Sequence, residues 1–136
     1  MSDTPAPITV EVASEEDVVV ARTKGKEMAK TMGFGTVDQT RIATGISELT
    51  RNILQYAQRG HLTLRPLDTQ VRQGLEILAE DNGPGIANLN VVLEGRHQPT
   101  RGLGLGIPGT RRLMDEFQMT SQVGQGTRVR CVKWLT

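Results

Sequence analysis

The chain has 136 residues, 37% of them hydrophobic and only 3% aromatic, with a formal net charge of +1 at pH 7. This length suits one domain with a core of aliphatic side chains, and we expect a flexible tail over residues 1–7 and a single domain over residues 8–136. The sequence has no basic run, no signal peptide and no apolar run of about 18 residues, so we expect a cytoplasmic protein that binds neither nucleic acid nor a membrane.

The first half of the chain predicts one strand followed by two helices. Alternation over residues 8–12 predicts the strand, and Ser14 with Asp17 predicts a capping box at the start of the first helix. Apolar residues at spacings of three and four continue that helix, and Gly33 ends it. A second helix is predicted over about residues 36–59, with the apolar stripe Ile42, Ile46, Leu49, Ile53 and Tyr56.

The second half predicts four strands and one helix. Strands are expected over residues 61–67, 74–80, 118–123 and 127–134. The helix is expected from about Ile107 to Glu116. The single cysteine, Cys131, alternates with Val129 and is expected in the core, without a disulfide. Because helices and strands are mixed without strict alternation, the order favours an α+β sandwich with helices on one face of a mixed sheet.

Three motifs carry the candidate chemistry, and the first lies on the second predicted helix. Glu48 and Asn52 are four residues apart, so they share a polar face that borders the apolar stripe. A carboxylate there can accept a proton from an attacking hydroxyl, and an amide oxygen is a suitable ligand for Mg²⁺. Taken alone, the pair is also typical of an ordinary solvated helix face.

The second motif, Asp81-Asn82-Gly83-Pro84-Gly85-Ile86, follows a predicted strand. The carboxylate of Asp81 can accept a hydrogen bond from an exocyclic amine such as that of adenine. Gly83 and Gly85 have no Cβ, so a planar base can approach the backbone closely. The alternative is a tight turn that closes the strand.

The third motif is a glycine-rich loop before the predicted helix at Ile107. It consists of Gly102, Leu103, Gly104, Leu105 and Gly106. Exposed backbone N–H groups at a helix N-terminus favour phosphate, although a flexible loop explains the composition equally. The pattern fits neither the dinucleotide-binding fingerprint nor a P-loop.

Together the motifs resemble the N, G1 and G2 boxes of the GHKL ATPase superfamily. Gly124-Gln125-Gly126-Thr127 adds a fourth match, and the resemblance covers about residues 8–134. It implies the Bergerat fold, an α/β sandwich whose mixed, mostly antiparallel sheet is covered by helices on one face. It also implies ATP between the helices and the sheet, Mg²⁺ held by Asn52, and adenine contacts from Asp81 and Thr127.

The resemblance assigns roles to the remaining residues. Glu48 is expected to orient and deprotonate an acceptor hydroxyl, while the second glycine loop cradles the phosphates. Residues 86–101 are expected to form a short lid over the nucleotide. Within it, His97, Thr100 and Arg101 either approach the terminal phosphates or belong to a solvated loop.

A narrower resemblance concerns the kind of kinase. Residues 102–109, 112–117 and 133–135 most resemble the stressosome switch kinases, small serine/threonine kinases of bacterial partner-switching systems. That resemblance implies STAS-domain scaffold or antagonist proteins as substrates, and activation of a PP2C-type phosphatase or similar regulator once the kinase is released. Two alternatives stay open: an anti-sigma-factor serine kinase, and a nucleotide-binding module that acts only by contact.

Overall fold

The computed structural model describes residues 4–86 and 106–136, which form three helices and five strands. In chain order these are β1 (Ile8–Val12), α1 (Glu15–Met32), α2 (Thr36–Ala57), β2 (Gly60–Asp68), β3 (Gln73–Asp81), α3 (Gly106–Leu113), β4 (Glu116–Gln122) and β5 (Gly126–Trp134). No helix within the described ranges is long and apolar enough to cross a membrane.

The five strands form one sheet in the order β1-β2-β3-β5-β4. Each neighbouring pair of described strands is antiparallel. The last strand of the chain, β5, therefore lies inside the sheet, between β3 and β4. The α+β sandwich is confirmed, and among the described strands the sheet is antiparallel throughout and not mixed.

One face of the sheet carries the core, because alternate residues along each strand point toward the helices. Leu64, Ile77 and Cys131 belong to one lateral row, and all three are fully buried. The apolar stripe of α2 covers these rows, with Ile42, Ile46 and Leu49 at no more than 1% exposure. Cys131 is a core residue as expected, and its burial raises the pKa of the thiol to about 12.

The predicted capping box starts α1. The Asp17 carboxylate accepts hydrogen bonds from the backbone N–H of Ala13 at 2.8 Å and of Ser14 at 3.0 Å. These bonds, that of Ala13 above all, lower the pKa of Asp17. At the other end, Gly33 has a φ of +101° and closes the helix with a left-handed residue, as glycine readily does.

The two long helices pack against each other and fix the position of α2 over the sheet. They approach so closely that a Cβ atom on Gly25 of α1 would overlap Ile46 Cδ1 of α2. The third helix contacts α2 in a similar way, because a Cβ on Gly45 would overlap the methyl group of Met114 just beyond α3. The face of α2 that carries Glu48 is therefore held by both neighbouring helices.

The predicted helix over residues 107–116 is too long, and the predicted strand over 118–123 starts too late. The helix ends at Leu113 and β4 begins at Glu116. The cause is tertiary: the Asp115 N–H donates to the Val132 carbonyl at 2.9 Å, and the Asp115 carboxylate accepts from the Trp134 N–H at 2.7 Å. Pairing with β5 thus replaces the last helical turn.

Candidate functional site

A row of polar side chains closes the core-facing side of the sheet at one end. Asp81 of β3 is the register partner of Thr127 of β5, and Thr127 is the partner of Ser121 of β4. The Ser121 and Thr127 hydroxyls are 2.8 Å apart, and Asp81 Oδ1 accepts from the Thr127 N–H at 3.3 Å. The structure thus brings two sequence-predicted residues, Asp81 and Thr127, side by side under α2.

The Gly-Pro-Gly turn is attached to the hairpin that joins β4 and β5. The Ile86 N–H donates to Ser121 Oγ at 2.7 Å, and the Gly124 N–H donates to the Pro84 carbonyl at 2.7 Å. Asp81 Oδ1 also accepts from the Gly83 N–H at 2.9 Å, which closes the turn. The turn and the hairpin therefore form one hydrogen-bonded unit around the Asp81 carboxylate.

The glycines of this unit are required by the packing of the protein itself. A Cβ on Gly83 would lie 2.5 Å from Ala57 Cβ, and one on Gly85 would overlap the Gln122 carbonyl. Gly126 has a φ of +102°, and its Cβ would overlap the Asp81 carbonyl oxygen. These contacts explain the glycines without any ligand.

A small cavity lies between α2 and the polar row. Its volume is about 20 Å³, and its walls include four predicted residues, Asn52, Asp81, Ile86 and Thr127. Tyr56 also lines it, and burial raises the pKa of that phenol. This volume is comparable to the space for a single water molecule, so a purine base fits only if the wall side chains move apart.

Glu48 is buried although it carries a carboxylate, with 8% of its surface exposed. One carboxylate oxygen accepts from Arg51 Nη1 at 3.4 Å, and the other accepts from the Gly106 N–H at 3.3 Å. Gly106 is the first residue of α3. The structure therefore places the predicted catalytic carboxylate at the N-terminus of the helix that follows the second glycine loop.

Asn52 lies one turn after Glu48 and has a buried polar atom without a partner. Its Nδ2 makes no hydrogen bond with any part of the chain that the structure describes. This unpaired NH₂ group, on the wall of the cavity, can donate to an acceptor atom of a ligand. The amide oxygen of Asn52 is a suitable ligand for Mg²⁺. In proteins Mg²⁺ commonly binds one or two side-chain oxygens and completes its coordination with phosphate and water. The described residues contain no group of three or more His, Cys, Asp or Glu side chains suited to a metal.

Some predicted residues lie outside the described ranges. They are four residues of the second glycine loop, Gly102, Leu103, Gly104 and Leu105, and the lid residues His97, Thr100 and Arg101. The remaining predicted residues fall into three groups. Asn52, Asp81, Ile86 and Thr127 lie around the cavity, Gly83 and Gly85 lie in the turn that follows Asp81, and Glu48 lies beside Gly106.

Sequence reasoning missed two residues that hold these groups together. Ser121 connects the hairpin to the turn. It lies two residues after Met119, so strand alternation could have placed it on the core-facing side of β4. Arg51 pairs with Glu48, and the spacing of three on a helix was the available signal.

Comparison with known proteins gives a family, a relative and a structural neighbour. The profile of the histidine kinase-like ATPase domain matches residues 12–133. The serine/threonine-protein kinase RsbT of Bacillus subtilis (strain 168) is 48% identical over 126 residues, which are 93% of this chain and 95% of that protein. The histidine kinase domain of the blue-light activated kinase from Erythrobacter litoralis EL346 aligns with a TM-score of 0.53 and 22% identity, over 88% of this chain and 59% of that one. The solved structure supports the fold alone.

Proposed function

The chain belongs to the histidine kinase-like ATPase family, and on that basis we propose that it transfers the terminal phosphoryl group of ATP to a STAS-domain protein. It is a serine/threonine protein kinase, since 48% identity to such a kinase extends over nearly the whole of both chains. The GHKL resemblance of the sequence motifs is thereby confirmed. The acceptor protein and the residues that perform the transfer belong to the proposal.

The observation that carries the proposed mechanism is the environment of Glu48. The side chain is buried, and two hydrogen bonds from different elements hold its two oxygens. A carboxylate fixed in this way is suited to orient a hydroxyl and accept its proton. The hydroxyl oxygen then bonds to the terminal phosphorus as the bond to the bridging oxygen breaks, ADP leaves, and the proton resides on Glu48.

The nucleotide is assigned to the other predicted residues. Asn52 would hold Mg²⁺, which supplies charge neutralisation for the phosphates when bound. Asp81 and Thr127 would contact adenine, Gly83, Gly85 and Ile86 would lie beside the base, and Gly102–Gly106 would contact the phosphates. Support comes from the cavity, because Asn52, Asp81, Ile86 and Thr127 all line it.

Since the Bacillus subtilis relative is a serine/threonine kinase, we assign this chain to partner switching in a bacterial stress response. In this scheme it phosphorylates scaffold or antagonist proteins of a stressosome in the cytoplasm. After its release it activates a PP2C-type phosphatase by contact.

The test is transfer of label from γ-³²P-ATP to STAS-domain proteins of the same organism. Glu48→Gln keeps the shape of the side chain and removes the base, so we expect transfer to fall by about 10²- to 10⁴-fold while Mg-ATP still binds. Glu16→Gln, the same change at an exposed position of α1, is the matched control and should transfer normally. Unchanged transfer by Glu48→Gln would refute the base assignment.

Absence of transfer by the parent protein, with every STAS-domain protein tested, would instead contradict the proposed substrate class.

A further inference from the structure

A long groove runs between α1 and α2, and Glu48 lies near one end of it. Its volume is about 810 Å³, and along α2 it extends from Thr36 to Arg51. At a rise of about 1.5 Å per helical residue, this stretch is about 22 Å long. An extended peptide covers that length with roughly six or seven residues. The groove therefore has the dimensions of a bound peptide segment and is much larger than the cavity on the sheet side of α2.

One wall of the groove is cationic. Arg22, Lys26 and Lys30 recur at every fourth position of α1 and all line the groove. None of the three has an ion pair with the described residues. Glu27 also lines this wall, so the α1 side carries three cations and one carboxylate. This charge favours an acidic occupant.

The opposite wall and the floor are formed largely by small side chains. Ala43 and Ser47 of α2 are buried along the groove, and the Ser47 hydroxyl already donates to the Ala43 carbonyl at 3.0 Å. Thr40 and Thr44 lie beside them. A surface with few large apolar side chains does not suit the hydrophobic face of a helix, and it leaves space for an extended polar backbone.

Glu48 connects this groove to the nucleotide side of the molecule. Its side chain lines the groove, and it also accepts from the Gly106 N–H at the start of α3. Asn52, one turn further along α2, lines the cavity instead. A hydroxyl that arrives through the groove and a nucleotide bound against the sheet thus meet Glu48 from different directions.

We propose that the α1–α2 groove binds the phosphoacceptor segment of the protein substrate, and that this segment is extended and acidic. The proposal rests on the proposed kinase function, because it uses Glu48 as the base that receives the hydroxyl proton. It goes further in naming the substrate chemistry and the route of entry.

The test uses two labelled peptides, each with a central serine, flanked by glutamates in one and by lysines in the other. Binding is measured by fluorescence anisotropy and phosphorylation by label transfer. Lys26→Glu should weaken binding of the acidic peptide on the order of tenfold. Lys24→Glu makes the same charge change on the same helix outside the groove, and it should alter binding less than twofold.

The outcomes separate the two proposals. Preferential binding of the acidic peptide that Lys26→Glu alone weakens, with no phosphate transfer, would support the groove and contradict the proposed function. Transfer to both peptides equally, insensitive to Lys26→Glu, would leave the kinase standing and overturn the groove. Binding of neither peptide, or equal effects of Lys26→Glu and Lys24→Glu, would also overturn it.

Discussion

The two ends of the candidate site differ in how completely the fold satisfies their polar groups. At the sheet end, formed by Asp81, Ser121 and Thr127, the side chains bind one another and the backbone, with several bonds of 2.7–2.9 Å. At the helix end, formed by Glu48 and Asn52, the two bonds to Glu48 are 3.3 and 3.4 Å, and Asn52 has a buried nitrogen without a partner.

This difference indicates that the two ends of the site depend on a ligand to different degrees. At the sheet end the protein itself supplies the hydrogen bonds, so these polar groups are satisfied without a ligand. At the helix end, the Asn52 NH₂ group has hydrogen-bonding capacity that the described part of the chain does not satisfy. A protein that leaves a buried amide unsatisfied loses stability, so such a group is best explained by a ligand that satisfies it. Substitutions at the two ends should therefore have opposite effects on stability.

The largest effect is expected at Gly126, which holds the sheet end together. An alanine there would place Cβ against the Asp81 carbonyl at a φ of +102°, so Gly126→Ala should lower the free energy of unfolding by about 3 kcal/mol or more. Gly124→Ala is the matched control: its φ is +82°, but nothing lies within 4 Å of the added Cβ. It should cost only about 1–2 kcal/mol. Urea unfolding measures both, and equal losses would contradict the packing explanation.

An intermediate effect, on affinity and not on stability, is expected for Asp81→Asn. The asparagine keeps an oxygen that can accept from the Gly83 and Thr127 N–H groups, so the fold should remain within about 0.5 kcal/mol. Loss of a charged acceptor for the adenine amine should weaken ATP binding by about 1.5–3 kcal/mol, or roughly 10- to 150-fold. Calorimetry checks this.

Asp68→Asn is the control for this variant. Asp68 ends β2, and its Oδ1 accepts from the Gln70 N–H at 3.1 Å. Because it does not line the cavity, its substitution should leave ATP affinity unchanged. Equal ATP affinity in Asp81→Asn and the parent protein would remove the adenine role.

The smallest effect is expected at the helix end and has the opposite sign. Asn52→Leu replaces the unsatisfied amide by a side chain of similar shape, so the ligand-free protein should become more stable by about 1 kcal/mol. Stabilisation by Mg-ATP, read as the shift of the thermal midpoint, should disappear.

Gln39→Met is the contrast within the same helix. Gln39 is also a buried amide, but its Nε2 donates to the Phe34 carbonyl at 2.8 Å. Removing it should therefore lower stability by about 1–2 kcal/mol. Loss of stability in both variants would show that the Asn52 amide contributes to the fold as Gln39 does.

The sequence predicts local features of this molecule well. The stripe from Ile42 to Ile53 on α2 and the capping box at Ser14 depend on neighbouring residues, and both are present in the structure. The end of α3 was mispredicted because Asp115 and Glu116 bind to residues of β5 that follow them by more than a dozen positions. No local pattern contains that information.

The candidate site shows the same limit. Asp81 and Thr127 were assigned to one site by family resemblance, and their adjacency follows from the pairing of β3 with β5. The groove gave no sequence signal, since cations at every fourth position of an exposed helix face are equally typical of a solvated surface. The packing of α1 against α2 makes the face with Arg22, Lys26 and Lys30 one wall of the groove.

The polar row Asp81–Thr127–Ser121, to which we assign the adenine contacts in our proposal, is a consequence of strand register. The three polar residues are neighbours because the next row of the same face is in register. In that row, Ala79 of β3 pairs with Val129 of β5, and Val129 pairs with Met119 of β4. A slip of one residue in β5 would turn Thr127 to the opposite face of the sheet. The burial of the apolar residues of β3, β4 and β5 thus fixes the strand register that brings the polar residues together. In the proposed mechanism, sequence drift in that part of the core is therefore constrained by adenine recognition as well as by stability.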